Sequence, residues 1–186
     1  MAVRPPRAAV HDLDEMLSAL RAAGGDLRWT PPEQWHLTLA FLGDVDERRS
    51  AEVTPRLARA AARAFELSVS LTGVGTFPRR ADRARVLWAG VAGDRTGLGS
   101  LATTARAAAR RSGIPVEDRR FNPHLTLARA RAAGADVTSL VTALSAYAGP
   151  VWRATELELV RSLLGPVVRH ETVDRWALGG AGRLPG

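Results

Sequence analysis

Val10, Leu13, Leu17 and Leu20, with Met16 beside them, recur at three- and four-residue intervals. That spacing lines one face of a helix over residues 9–23, which Gly24-Gly25 stops. The period then shortens. Residues 27–30 read as extended, Pro31-Pro32 turns the chain, and residues 34–42 predict a strand closed by Gly43-Asp44. Thr54-Pro55 reads as an N-cap followed by a first-turn proline and predicts a helix through Ala64, with Leu57, Ala60, Ala61 and Ala64 inward. Phe65, Leu67, Val69 and Leu71 alternate on one strand face. Gly73, Gly75 and Pro78 mark a loop carrying Phe77, Arg79 and Arg80, and residues 85–91 form a short strand containing Trp88.

The second half repeats this order. A helix over residues 98–111 ends at Gly113, residues 116–121 are extended, and Pro123 leads into a strand over 124–129. Residues 137–146 are helical, with Val137, Leu140, Val141 and Leu144 on one side. Residues 151–163 alternate as a strand, Gly165-Pro166 turns, and residues 169–178 return as its neighbour; the tail over 179–186 is expected to fray. Helix, strand and strand thus recur on both sides of about residue 92, with no long linker between. The expected fold is α+β: a single domain over residues 1–186 made of two pseudo-symmetric lobes. Each lobe is a mainly antiparallel sheet with helices on its outer face, and the lobes meet around a central cleft.

One pentapeptide changes this from a fold to a candidate chemistry. His-Leu-Thr-Leu-Ala stands at residues 36–40 and again at 124–128, 88 positions apart, close to half of the 186-residue chain. On a strand the His and the Thr share one face, roughly 6 to 7 Å apart, and the two Leu take the other, which is the face a core needs. A single His-x-Thr is usually a hydrogen-bonded sheet residue. Two copies at half-chain spacing mark two related lobes, and side by side they would turn His36, Thr38, His124 and Thr126 into one groove. Two imidazoles are an acid/base pair and two hydroxyls are donors to an anion, which suits a phosphodiester.

Composition narrows the alternatives. Hydrophobic residues at 46% and charged residues at 24% describe a soluble globular chain. No apolar run approaches the ~18 residues of a membrane span, and the start does not read as a signal peptide, so the expected compartment is the cytoplasm and no membrane partner is expected. Zero cysteines remove disulfides, thiolate metal sites and cysteine nucleophiles. The net charge is +7 and all 26 basic residues are Arg, whose forks match phosphate.

Other motifs lead nowhere. Residues 97–102 fit G-x-G-x-x-A but read as an ordinary Gly/Ser helix start, a Walker A loop needs Lys, and G-x-S-x-G and H-E-x-x-H are absent. His36 and His124 lack a third strong ligand, so no metal and no cofactor is expected. His11 reads as solvated, and His170 opens the last strand, where it is either exposed or within reach of the cleft. Trp35 alternates with His36 and points to the core; Arg110-Arg111 and Arg119-Arg120 read as solvated faces.

With both motifs in view, the chain resembles the 2H phosphoesterase superfamily, and within it the RNA 2′,3′-cyclic phosphodiesterases, also called 2′-5′ RNA ligases. The matching stretches are residues 29–43, 73–78, 85–90 and 121–129, with a last piece from Leu157 through Ser162 and Gly165 to residues 176–178. The resemblance implies a two-lobed 2H phosphoesterase fold and metal-independent hydrolysis of an RNA 2′,3′-cyclic phosphate to a 2′-phosphate. Reversible 2′-5′ ligation goes with it, and we expect the chain to act as a monomer. The two histidines would be acid and base, with His36 assigned as acid and His124 as base. Thr38 and Thr126 would cradle the phosphate, Arg129 would assist, and Phe77 and Phe121 are candidates to stack on the terminal base. A small cyclic nucleotide, an ADP-ribose cyclic phosphate or non-catalytic binding of RNA ends are the alternatives. Two departures stand out. Only Ala2-Val3 precedes Arg4-Pro5-Pro6 where relatives begin with an apolar strand, so either the start codon is misplaced or the first lobe lacks much of one strand. His170 stands where a Tyr often precedes the final Trp.

Overall fold

The computed structural model describes residues 1–118, 120–163 and 168–179. The order is β1 (Ala2–Val3), α1 (Arg7–Ser18), β2 (Leu27–Trp29), β3 (Leu37–Thr38), α2 (Glu47–Arg63), β4 (Leu67–Phe77) and β5 (Val86–Gly93). Then follow α3 (Arg95–Arg111), β6 (His124–Ala130), α4 (Thr138–Ala143), β7 (Trp152–Ala154), β8 (Glu156–Leu163) and β9 (Arg169–Ala177). The strands form one sheet in the order β7-β4-β5-β6-β3-β1-β8-β9, with β2 also on β6, and every pairing is antiparallel.

The α+β reading holds, and the two lobes are the two halves of this sheet. Along this path four strands lie on each side of the β3–β6 junction, where the two copies of the pentapeptide meet, and β2 is the ninth, on β6. Leu13 and Leu17 of α1, Val53 and Leu57 of α2 and Leu98 and Leu101 of α3 join Val69, Leu87, Val91, Leu125 and Leu127 of the sheet in one continuous core. The helices therefore fill the leucine face of both pentapeptides and leave the His/Thr face open.

Several boundaries differ from the sequence reading, each for a local reason. The strand expected over 34–42 shrinks to β3, because Pro32–Gln34 forms a 3-10 turn before it and the chain bulges after it. α2 starts at Glu47 rather than after Thr54: the Asp46 carboxylate caps it by accepting from the Arg49 N–H at 2.8 Å. Pro55 sits inside α2 on its exposed side, where the carbonyl it leaves without an N–H faces water. Phe65 is exposed and precedes its strand. The supposed loop at Gly73 is a bulge with φ +50° that keeps β4 running to Phe77. Residues 116–121 carry no strand among the described residues, and residues 137–146 hold only the short α4. The Gly165-Pro166 turn, Arg119 and most of the tail lie outside the described residues. Among the described residues, no helix is long and apolar enough to cross a membrane.

Candidate active site

β3 and β6 run antiparallel with Leu37 opposite Leu125, and both leucines are buried. Carried one residue each way, that register sets His36 across from Thr126 and Thr38 across from His124, all on the face opposite the leucines. Directly opposed Cβ atoms lie about 4.5–5.5 Å apart and diagonal ones about 7–8 Å. The two imidazoles occupy the diagonal, so their rings can reach one tetrahedral anion from two sides while the hydroxyls approach it between them.

Each ring is held in the same way. His36 Nδ1 lies 2.8 Å from the Gln34 carbonyl and His124 Nδ1 2.7 Å from the Asn122 carbonyl. A carbonyl only accepts, so Nδ1 carries the proton in both rings and Nε2 is the nitrogen left to the cleft. The surroundings then diverge. His124 sits among aromatic rings, 5.0 Å from Phe77 in a T-shaped contact and 5.9 Å from Trp88. Gly75 makes this possible, because a Cβ there would come 2.3 Å from the Trp88 ring.

His36 has charged neighbours instead. The register of β1 on β3, with Ala2 opposite Thr38 and Val3 opposite Leu37, brings Arg4 alongside His36. The buried Glu158 carboxylate holds Arg4 at 2.8 Å and accepts the Thr172 hydroxyl at 2.8 Å. The His170 ring touches His36 edge to face, with centroids 4.7 Å apart and planes at 74°. Burial above all depresses the His36 imidazole, partly offset by its bond to Gln34. His170, Arg4 and the N-terminal ammonium depress it further, leaving it at about 4.

Two bulges complete the cleft and set the faces of Arg129 and Phe41 against what simple alternation along each strand would give. Along β5, Trp88 pairs Thr126 but Leu87 pairs Ala128, so Leu127 is an extra residue on β6. Leu127 and Ala128 both sink into the core, alternation resumes one place out of phase, and Arg129 emerges on the His124 face instead of the leucine face. Its charge is felt at His170. The first pentapeptide does the same: Leu39 and Ala40 are both buried against Met1, whose carbonyl accepts from the Leu39 N–H at 2.9 Å and whose amine donates to Ala40 at 3.0 Å. Phe41 therefore comes out 74% exposed on the His36 side rather than in the core.

The structure thus brings His36, Thr38, His124, Thr126, Arg129 and Phe77 to one face. Phe121 does not join them; it leans on α3 beside Gly99 and packs against the core. Trp35 is buried, with its indole N–H on the Thr30 carbonyl at 3.0 Å, and His11 lies exposed beside Glu15 on α1. Residue-by-residue reading missed Trp88, Phe41 and Gln34 as parts of the site. The one available signal was Gly75, a glycine in a strand where a large ring crosses close to the backbone. No group of three or more metal-ligating side chains occurs among the described residues.

Known proteins share this construction. The family model described as LigT like Phosphoesterase matches residues 3–88 and 92–169. An RNA 2′,3′-cyclic phosphodiesterase of Geobacillus stearothermophilus is 31% identical over 153 residues, covering 82% of this chain; the chain spans about half, 48%, of that relative's length. The crystal structure of a Thermus thermophilus protein superposes with a TM-score of 0.79 at 29% identity, covering 96% of both chains. Escherichia coli LigT complexed with 3′-AMP superposes at 0.73 with 27% identity, covering 95% of both. With a match across both halves and both pentapeptides in place, the chain belongs to the LigT-like phosphoesterase family.

Proposed function

We propose that this chain hydrolyses RNA terminal 2′,3′-cyclic phosphate to a 2′-phosphate through a two-histidine acid/base mechanism that requires no metal, working as one phosphoesterase domain of two lobes. One imidazole takes a proton from water as its oxygen bonds to phosphorus. The P–O3′ bond breaks on the far side, and the other imidazole gives its proton to O3′. Thr38 and Thr126 donate to the non-bridging oxygens, where charge accumulates. Arg129 adds a cation to the same face, and Phe77 and the exposed Phe41 offer ring faces to the terminal base. With a 5′-hydroxyl in place of water, the same steps make a 2′-5′ phosphodiester: O5′ bonds to phosphorus as it gives up its proton, and the P–O3′ bond breaks with O3′ protonated.

The observation that carries this reading is the Leu37–Leu125 register, which alone brings two Nε2 atoms and two hydroxyls to one place. The depression of the His36 imidazole, chiefly by burial, favours His36 as the base and leaves the acid role to His124, the reverse of the assignment made from the sequence. With a pKa of about 4, only about one His36 ring in a thousand carries a proton at pH 7, too few for an efficient acid. The relative's name and the 3′-AMP complex of LigT support a nucleotide phosphate in the cleft. On the same reading the chain acts as a monomer in the cytoplasm, which light scattering and cell fractionation test.

The decisive experiment is product analysis on an oligonucleotide 2′,3′-cyclic phosphate beside a mononucleotide. A 2′-phosphate from the oligonucleotide is expected, with His36→Ala and His124→Ala each losing several orders of magnitude in rate. Near-full activity in either variant rejects the pair, and turnover of the mononucleotide alone moves the substrate class to small cyclic nucleotides.

A further inference from the structure

His170 lies on β9, three strand spacings from β3 through β1 and β8. In a flat sheet three spacings are roughly 14 Å. Rings in contact at 4.7 Å therefore mean that twist and curl carry the β8–β9 hairpin across the open face. What it meets there is built from several independent contacts. The Gln34 side-chain carbonyl accepts the His170 backbone N–H at 2.6 Å, while the Gln34 backbone carbonyl accepts His36 Nδ1–H at 2.8 Å. Ser162 Oγ lies 3.1 Å from His170 Nδ1 and fixes the second ring in turn. One residue, Gln34, thus ties the hairpin and the His36 ring together, and the His170 ring packs against the His36 ring in a T-shaped contact.

We propose that His170 is a positioning residue: together with Gln34 it clamps the His36 ring so that only its Nε2 is offered to the phosphate. The proposal rests on the assignment of His36 to the chemistry. It takes the clamp, not the proton of His170, to be what matters, because the contact with His36 is made ring against ring and His170 Nδ1 is already engaged by Ser162. Any ring of similar size at position 170 would serve.

The test compares His170→Ala, His170→Phe and Gln34→Ala with the wild type, by kinetics on a 2′,3′-cyclic phosphate oligonucleotide and by NMR titration of His36. His170→Ala is expected to lower kcat about 10- to 100-fold with KM changed less than about threefold, the signature of a misaligned reacting group. The His36 midpoint should rise from about 4, since a covering ring is removed while Arg4 held by Glu158, the N-terminal ammonium, His124 and Arg129 remain. His170→Phe should restore kcat to within about threefold, and Gln34→Ala should shift kcat and the midpoint in the same directions as His170→Ala, by less. An unchanged kcat and midpoint in His170→Ala overturns the proposal. So does failure of His170→Phe to rescue, because the imidazole itself would then be needed. If the wild type opens no cyclic phosphate, the proposed function falls, yet the His36 titration still decides whether the clamp exists.

Discussion

Acidification is the perturbation that tests the buried state of His36. Its imidazole stands at about 4 in the folded protein against an ordinary 6.5, chiefly because it is buried. That difference of about 2.5 pH units, at about 1.4 kcal/mol each, amounts to about 3 kcal/mol. The folded pKa lies below the unfolded one, so between the two values the unfolded chain binds more protons. Stability associated with His36 is complete above pH 6.5 and is lost as the pH falls towards 4. Denaturant unfolding of the wild type and of His36→Asn from pH 7 to 4 should therefore show a gap that closes by up to about 3 kcal/mol. The catalytic consequence is sharper. The acid limb of kcat/KM for an oligonucleotide 2′,3′-cyclic phosphate is expected to fall near pH 4, where His36 takes up its proton. An acid limb near 6.5 with an NMR midpoint of 6.5 for His36 refutes the reasoning from burial and charge.

Three substitutions probe the scaffold. Gly75→Ala puts a methyl group 2.3 Å from the Trp88 ring, which must then swing off His124. About a tenfold fall in kcat with altered tryptophan fluorescence is expected, and an unchanged spectrum would contradict the packing. Arg129→Ala removes an exposed cation from the cleft face, so KM for an oligonucleotide should rise about tenfold and become less salt-sensitive while the Tm stays within about 2 °C. Leu125→Ala empties the buried site that sets the junction register and should cost about 2–5 kcal/mol in chemical denaturation.

The two pentapeptides, their faces and the α+β class were legible from local pattern alone, because alternation and the i, i+3, i+4 spacing are properties of one segment at a time. Zero cysteines and the all-arginine positive charge needed no fold to be read. The ring partners of the two histidines were not legible, and neither was their inequality. Phe77 and Trp88 reach His124 only because β4 and β5 pair beside β6, and His170 reaches His36 only because an entire hairpin curls across the sheet. The faces of Arg129 and Phe41 were not legible for a related reason. A bulge shifts every later side chain by one place, and whether a strand bulges depends on the partner it is fitted against. Leu127 is extra only relative to β5, and Ala40 only relative to Met1. Sequence determined which chemical groups were available in pairs; the pairing of strands far apart in the chain decided which of them meet, and with what charge around each.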